Sequence, residues 1–352
     1  GANHHAAGCA SLIEYQTGLS NGAGRLNPEY ATVAEILHEY GYATFCSGKW
    51  HLASEKTQAG PYDSWPLQKG FDRYYGFLHG ENDQFHPHLV RDNSLLTPEE
   101  EALRTDQKDY HFSKDIVDNA IENIFTEKNA FPEKPFFLYL AFGAMHAPHH
   151  APKEYIDRYK GAFDDGWDEK RKQWFKKQKE IGIIPQNAEL TDEYVDSWES
   201  LSADEKRLYA RYMEAYAGML EYTDEQIGRL LDYLKEIDEF ENTIFVFLSD
   251  NGASAEGGKN GRLNCFQGMD IFERANEVER SLKHYDEIGT EEALNHYPTG
   301  WANAGNTPFQ WYKIWAHEGG IKDPLIVSYP KKIKDYGGIR GQYHHVSDIT
   351  PT

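Results

Sequence analysis

The chain has 352 residues, 14% of them aromatic, and a formal net charge of −21. That length suits one large α/β domain or two smaller ones, and the aromatic content argues against disorder. The acidic balance argues against nucleic acid as a partner, which needs a basic face, yet a local pocket can still hold a small anion. The first predicted element is a helix over 32–41, where Thr32 and Glu35 form a capping box, Val33, Ile36 and Leu37 give an apolar stripe, and Gly41 stops it. A strand at 42–46 follows, then loops from Ser54 to about Leu96. A second helix is predicted from Ser113 to Phe125, feeding a strand at 135–142. Residues 153–201 read as a helical insert, exposed over the charge-dense stretch 165–180 that holds Trp167 and Trp174. A long helix opens at Leu201-Ser202 with another capping box and carries Leu208, Tyr212, Tyr216, Leu220, Ile227, Leu230, Leu231 and Leu234 at helical spacing. A strand at 243–248 comes next. The polar stretch 253–305 is expected to be loop with a short helix near Asp270 to Lys283, and the last strand is Pro324 to Tyr329. The apolar runs read as buried strands. Helices alternating with strands predict an α/β fold: a mostly parallel central sheet with helices on both faces. No apolar run is long enough to span a bilayer.

Three of these runs stop at chemically capable clusters. Ligands of open α/β sheets bind outside the carboxyl ends of the strands, so the clusters are expected to meet at one edge of one sheet. The run 243–248 ends in Ser249-Asp250-Asn251-Gly252, whose adjacent oxygens suit a hard cation, although the same string is also a common turn. The first strand leads into Gly48-Lys49-Trp50-His51. Lys49 and His51 are two apart, so an extended backbone would point both the same way, an ammonium and an imidazole suited to an oxyanion. A surface lysine and a half-buried histidine fit the pattern as well. His146 lies just past the strand at 135–142, placed for acid/base work, with His149 and His150 as loop or supporting residues. Lys313 precedes His317-Glu318-Gly319-Gly320 and offers a second ammonium, or a solvated one. Three cysteines, Cys9, Cys46 and Cys265, make no disulfide framework. Cys9 lacks the arginine context of a modified nucleophile and is rejected as one.

The strings GKWHL (48–52), AMHAP (144–148), SDNG (249–252) and Lys313 with HEGG (317–320), in this order, resemble the type I sulfatases of the alkaline phosphatase superfamily. The resemblance runs over nearly the whole chain, and the stretches 164–180 and 196–221 resemble bacterial arylsulfatases in particular. It implies hydrolysis of small sulfated substrates, aryl sulfates or sulfated sugars, by a formylglycine nucleophile with one calcium ion, magnesium being the poorer fit. It implies Asp250 and Asn251 as metal ligands. Lys49 and Lys313 would hold sulfate oxygens, His51 would orient the formylglycine hydroxyl, and His146 would serve the leaving alcohol. Residues 1–352 then read as a single sulfatase-like catalytic domain cut at both ends. Gly1 falls on the last residue of the nucleophile signature, so the nucleophile and the first aspartate pair would lie upstream, and this stretch alone is expected not to turn over. The compartment stays open in the sequence, with a periplasmic or secreted place slightly favoured and a cytoplasmic one possible. A phosphonate or phosphate ester hydrolase of the same superfamily and a non-catalytic binder of sulfated ligands are the competing readings. The central spatial expectation is that Lys49, His51, His146, Asp250 and Lys313 share one cavity.

Overall fold

In the computed structural model, which describes residues 1–53, 59–192, 194–266 and 276–352, the chain divides into two units. One comprises Gly1–Gly143 with Gly341–Thr352, the other Ala144–Arg340. Each is described by itself.

The first unit begins its regular structure with α1 (Val33–Glu39). The Thr32 side chain accepts from the Glu35 N–H, and the Glu35 carboxylate accepts from the Thr32 N–H, the capping box that the sequence indicates. Then follow β1 (Ala43–Lys49), β2 (Arg73–Phe77) and a short hairpin of β3 (Val90–Arg91) and β4 (Ser94–Leu95). Two helices, α2 (Pro98–Thr105) and α3 (Phe112–Ala130), lead to β5 (Phe136–Ala141). The sheet order is β4-β3-β2-β1-β5. Its centre is parallel, with Cys46 paired to Tyr74 on one side and to Tyr139 on the other; the hairpin extends it antiparallel. Successive strand residues face opposite sides, and each side has its own core. Cys46, Tyr74 and Val90 cluster with Ala34 of α1. Tyr75 and Phe77 cluster with Phe112 and Ile116 of α3. Helices therefore cover both faces. Each large aliphatic side chain fully buried this way contributes about 1.5–3 kcal/mol.

Three expectations change in this unit. The stretch 59–96, expected as loop, contains β2 and the hairpin; residues 54–58 of that expectation lie outside the described residues. Tyr74 and Tyr75 are both buried on opposite faces, so β2 shows no alternation of polar and apolar residues that would mark it. The helix expected over 113–125 runs to Ala130, and α2 was not anticipated.

The second unit holds α4 (Lys153–Arg158), α5 (Gly166–Ile181), α6 (Ala203–Glu236), β6 (Phe245–Leu248), α7 (Glu277–Lys283), α8 (Thr299–Gly305), α9 (Glu318–Ile321) and β7 (Leu325–Ser328). Ser202 caps α6 with a second capping box through Glu205, as the sequence indicates. Leu208, Tyr212, Leu230 and Leu234 of its stripe are buried, while Leu220 is exposed, contrary to expectation. The stretch 165–180 forms most of α5 with Lys172 and Lys176 in solvent, but it is not exposed throughout. Trp167 is buried edge-on against Trp198 (4.8 Å) and Trp301 (5.8 Å), and its indole N–H donates to the Asp196 carbonyl at 3.1 Å. Charge density marked the solvent face and hid the anchor. Of the expected helix over 270–283, Glu277–Lys283 is present; residues 267–275 lie outside the described residues. Helix α8 forms inside 253–305, a stretch expected to be mostly loop.

The strands at the two late apolar runs correct the picture of one sheet. β6 and β7 pair with each other, antiparallel, in a separate two-stranded sheet, and most of their residues are exposed. An apolar run specifies an extended segment; it does not specify the partner strand or what covers it. Among the described residues no helix is long and apolar enough to cross a membrane.

Candidate functional site

In the first unit, β1 delivers the Gly48-Lys49-Trp50-His51 cluster. Gly48 has a φ of 115°, and a Cβ there would overlap the Ala141 carbonyl of the neighbouring strand β5, so only glycine lets the strands approach. Lys49 closes β1. Trp50 is pinned by its N–H to the Phe77 carbonyl (3.0 Å) and its indole N–H to the Ser64 carbonyl (2.7 Å). His51 has a left-handed backbone, φ 55°, so the expected common direction of Lys49 and His51, which required extended chain, does not follow. The His51 Nε2 lies 3.0 Å from Glu14 Oε2.

In the second unit, two motifs far apart in sequence interlock through their backbones. The Gly252 N–H, at the end of Ser249-Asp250-Asn251-Gly252, donates to the Gly320 carbonyl at 3.2 Å, and a Cβ at Gly252 would overlap the Gly319 carbonyl oxygen. The Lys313 N–H donates to the Ala253 carbonyl at 3.0 Å. Asn306 completes the frame: its Oδ1 accepts from the Ala253 N–H (2.9 Å) and its amide donates to the Trp311 carbonyl (3.1 Å). Trp311 and Ile314, flanking Lys313, both have positive φ, an uncommon and costly conformation for such side chains. The turn of Asp250 and Asn251 and the loop of Lys313 are thus one structural piece.

His146 joins this piece. Its Nδ1 lies 2.9 Å from the Ala147 carbonyl, which assigns the proton to Nδ1, and its Nε2 accepts from the Lys313 ammonium at 3.0 Å. The same ammonium donates to Glu256 Oε2 at 2.8 Å. The Ser254 hydroxyl lies 2.8 Å from Glu256 Oε2 and 3.0 Å from His296 Nε2. Burial alone would raise the Glu256 carboxyl, but Lys313, with His146 and Ser254, outweighs it and holds it down at about 2. Burial lowers His296 to about 4, and it lowers His149 well below its usual value. His149 and His150, expected as loop or supporting residues, are fully buried beside this network. Glu256, Ser254 and His296 lie in the stretch read only as polar loop, where no motif marked them.

The metal reading rests on few donors. Asn251 commits its amide nitrogen to the Gly252 carbonyl at 3.0 Å and not its oxygen. Asp323 sits close enough to Asp250 that burial, and then the Asp250 charge, lift its carboxyl to about 6. Such a negative spot is one a hard cation would relieve. Among the described residues no group of three or more His, Cys, Asp or Glu is arranged to hold a metal ion. Burial raises the thiols of Cys9 and Cys46, which leaves neither activated as a nucleophile. His146, Asp250, Asn251 and Lys313 belong to the second unit, Lys49 and His51 to the first.

Comparison with known proteins matches the family model described as Sulfatase over residues 1–352. An uncharacterised sulfatase of Schizosaccharomyces pombe is 34% identical over 369 residues, covering all of this chain and 64% of its own length. An arylsulfatase of Klebsiella aerogenes is 29% identical over 343 residues, covering 93% of this chain and 68% of its own. The chain therefore spans about two thirds of these relatives. A crystal structure from Bacteroides fragilis, described as a candidate sulfatase, superposes with a TM-score of 0.51 at 18% identity over 89% of this chain and 52% of its own, a likeness of fold.

Proposed function

This chain belongs to the sulfatase family, and from that premise we propose that the whole protein hydrolyses sulfate monoesters, aryl sulfates first among them. The name of the Klebsiella relative favours that substrate class. The observation that carries the reading is the 3.0 Å contact of Lys313 Nζ with His146 Nε2, on a loop bonded to the Asp250–Asn251 turn.

The residues have separable tasks. An ammonium has three N–H donors. His146 and Glu256 take two from Lys313, and the third serves an ester oxygen. His146, neutral with its lone pair on Nε2, is set to pass a proton between that ammonium and the departing alcohol oxygen. Asp250 and Asn251 would hold calcium in preference to magnesium, which demands tighter octahedral geometry. When bound, that ion would supply Lewis-acid stabilisation of developing oxygen charge, and a formylglycine would supply the nucleophile. Lys49 and His51 complete the proposed set as sulfate holder and nucleophile-orienting residue. A calcium ion takes about six to eight oxygens, so further ligands join the two named here.

The test uses the full-length protein with 4-nitrophenyl sulfate. Asp250→Ala and Lys313→Ala each lower kcat/KM about a hundredfold or more, the scale seen when a key electrostatic group is removed. His146→Ala slows substrates with poor leaving groups most. Near-normal turnover of either first variant at saturating calcium would remove the assigned roles. Faster hydrolysis of an aryl phosphodiester than of the sulfate would move the protein to the phosphate ester branch.

A further inference from the structure

Glu256 poses a problem for an anion site. Its carboxylate lies 2.8 Å from the Lys313 ammonium and 3.7 Å from the His146 imidazole, where a sulfate ester brings negative charge of its own. A lysine whose work was to attract an anion would be weakened by such a neighbour, because the pair is neutral as a whole. Yet the carboxylate is held deliberately in place. Its own N–H donates to Ser254 Oγ at 3.2 Å, and that hydroxyl donates its one proton to Glu256 Oε2 at 2.8 Å while lying 3.0 Å from His296 Nε2. His296 is fully buried and fixed in turn: its Nδ1 meets the Tyr297 carbonyl at 2.9 Å, and its backbone exchanges two 2.9 Å hydrogen bonds with Arg262. The next residue, Gly257, lies so close to the Tyr297 carbonyl that a Cβ there would overlap it. Side chain and backbone both anchor the carboxylate.

We propose that Glu256, braced by Ser254 and His296, is a positioning residue that makes Lys313 an aimed hydrogen-bond donor to His146 and the leaving oxygen, and not a charge that draws in sulfate. The proposal rests on the sulfatase reading above. In it, Glu256 gives up ground-state attraction for the anion and gains orientation at the bond that breaks. This is the trade expected of a group that favours the transition state over the bound substrate.

The trade has a signature that simple damage to the fold would not give. Glu256→Gln keeps an oxygen for Lys313 but removes the charge. It lowers kcat about tenfold, with the largest loss on substrates of high leaving-group pKa. At the same time it tightens binding of inorganic sulfate several-fold, since one repelling charge is gone. Ser254→Ala, which leaves the charge but loosens the brace, lowers kcat in the same leaving-group-dependent way without tightening sulfate. Sulfate affinity is measured by calorimetry on the full-length protein, so it reads out Glu256 whether or not the protein turns over any ester. Weaker or unchanged sulfate binding in Glu256→Gln overturns the proposal. So does a kcat equal to wild type, or one lowered equally for all leaving groups. Absence of sulfatase activity in the wild type, with tighter sulfate binding in the variant, would instead overturn the reading of function and leave the charge relation standing.

Discussion

His149 shows how a residue beside the site ties the stability of the fold to pH. It is fully buried among Tyr216, His296 and Tyr297, and no partner of its Nδ1 is found among the described residues. Burial, then the neighbouring His296, His146 and His150, hold it neutral. An unfolded histidine takes up a proton near pH 6.5, which the buried ring refuses. The folded pKa is depressed, so the stability is intact above about pH 6.5 and is lost as pH falls below it. Glu256, held at about 2, acts in the same direction at lower pH: its contribution is present above the usual carboxylate range and fades as pH drops through it. Asp323, raised to about 6, works the opposite way and favours the folded state as pH falls through that value. The comparison that isolates His149 is therefore between wild type and His149→Phe. The urea midpoint of the wild type should fall more steeply between about pH 6.5 and 5, by the slope of one proton, than that of the variant. Parallel curves would show that the ring is protonated in the folded state.

Among the elements, the turn after β6 and the loop before β7 matter most, because together they hold Asp250, Asn251 and Lys313. Gly252 is the pivot. Any side chain there meets the Gly319 carbonyl oxygen, which is backbone and has no room to move, since Cβ atoms at Gly319 and Gly320 would overlap the carbonyls of Trp311 and Trp315. Gly252→Ala should destabilise by about 1–3 kcal/mol, the range of overpacking, and pull the two motifs apart. The check is a thermal melt with an activity assay on the full-length protein; a variant with unchanged melting and turnover would mean that the motifs are not coupled. The glycines of both motifs are visible in the sequence as strings, and their reason is not: Gly252 makes room for the backbone of Gly319 in a distant segment, while Gly319 and Gly320 make room for the carbonyls of Trp311 and Trp315 in their own loop. The capping boxes at Thr32 and Ser202 were legible because both partners lie within four residues. Strand β2 was not, because its two faces are buried in different clusters and no polarity pattern survives. Lys313 and His146 stood out by motif and do meet. Glu256 did not stand out, because a lone acid in a polar stretch acquires meaning only from the cation folded against it.

On the scale of the whole molecule, attraction and repulsion between copies are balanced by salt. Val246 and Phe247 are consecutive in β6 and face opposite sides of its two-stranded sheet, yet both are over 40% exposed, as are Ile326 and Val327 of β7. Both faces of that sheet are therefore open and apolar in this chain, a condition that marks a surface for association. Two strands alone are also only marginally stable in water. Against this stands a net charge of −21, which keeps copies apart at long range. Salt screens the repulsion, with a Debye length of about 30 Å at 0.01 M and 8 Å at 0.15 M, and leaves apolar attraction intact. Residues 1–352 should accordingly stay dispersed at low ionic strength and associate as salt is raised, with Nile red fluorescence appearing before scattering. Introducing charge on both faces, Val246→Glu with Phe247→Lys, should abolish the salt response while leaving net charge at −21. Scattering that is independent of salt, or that persists in the double variant, would place the association elsewhere on the surface.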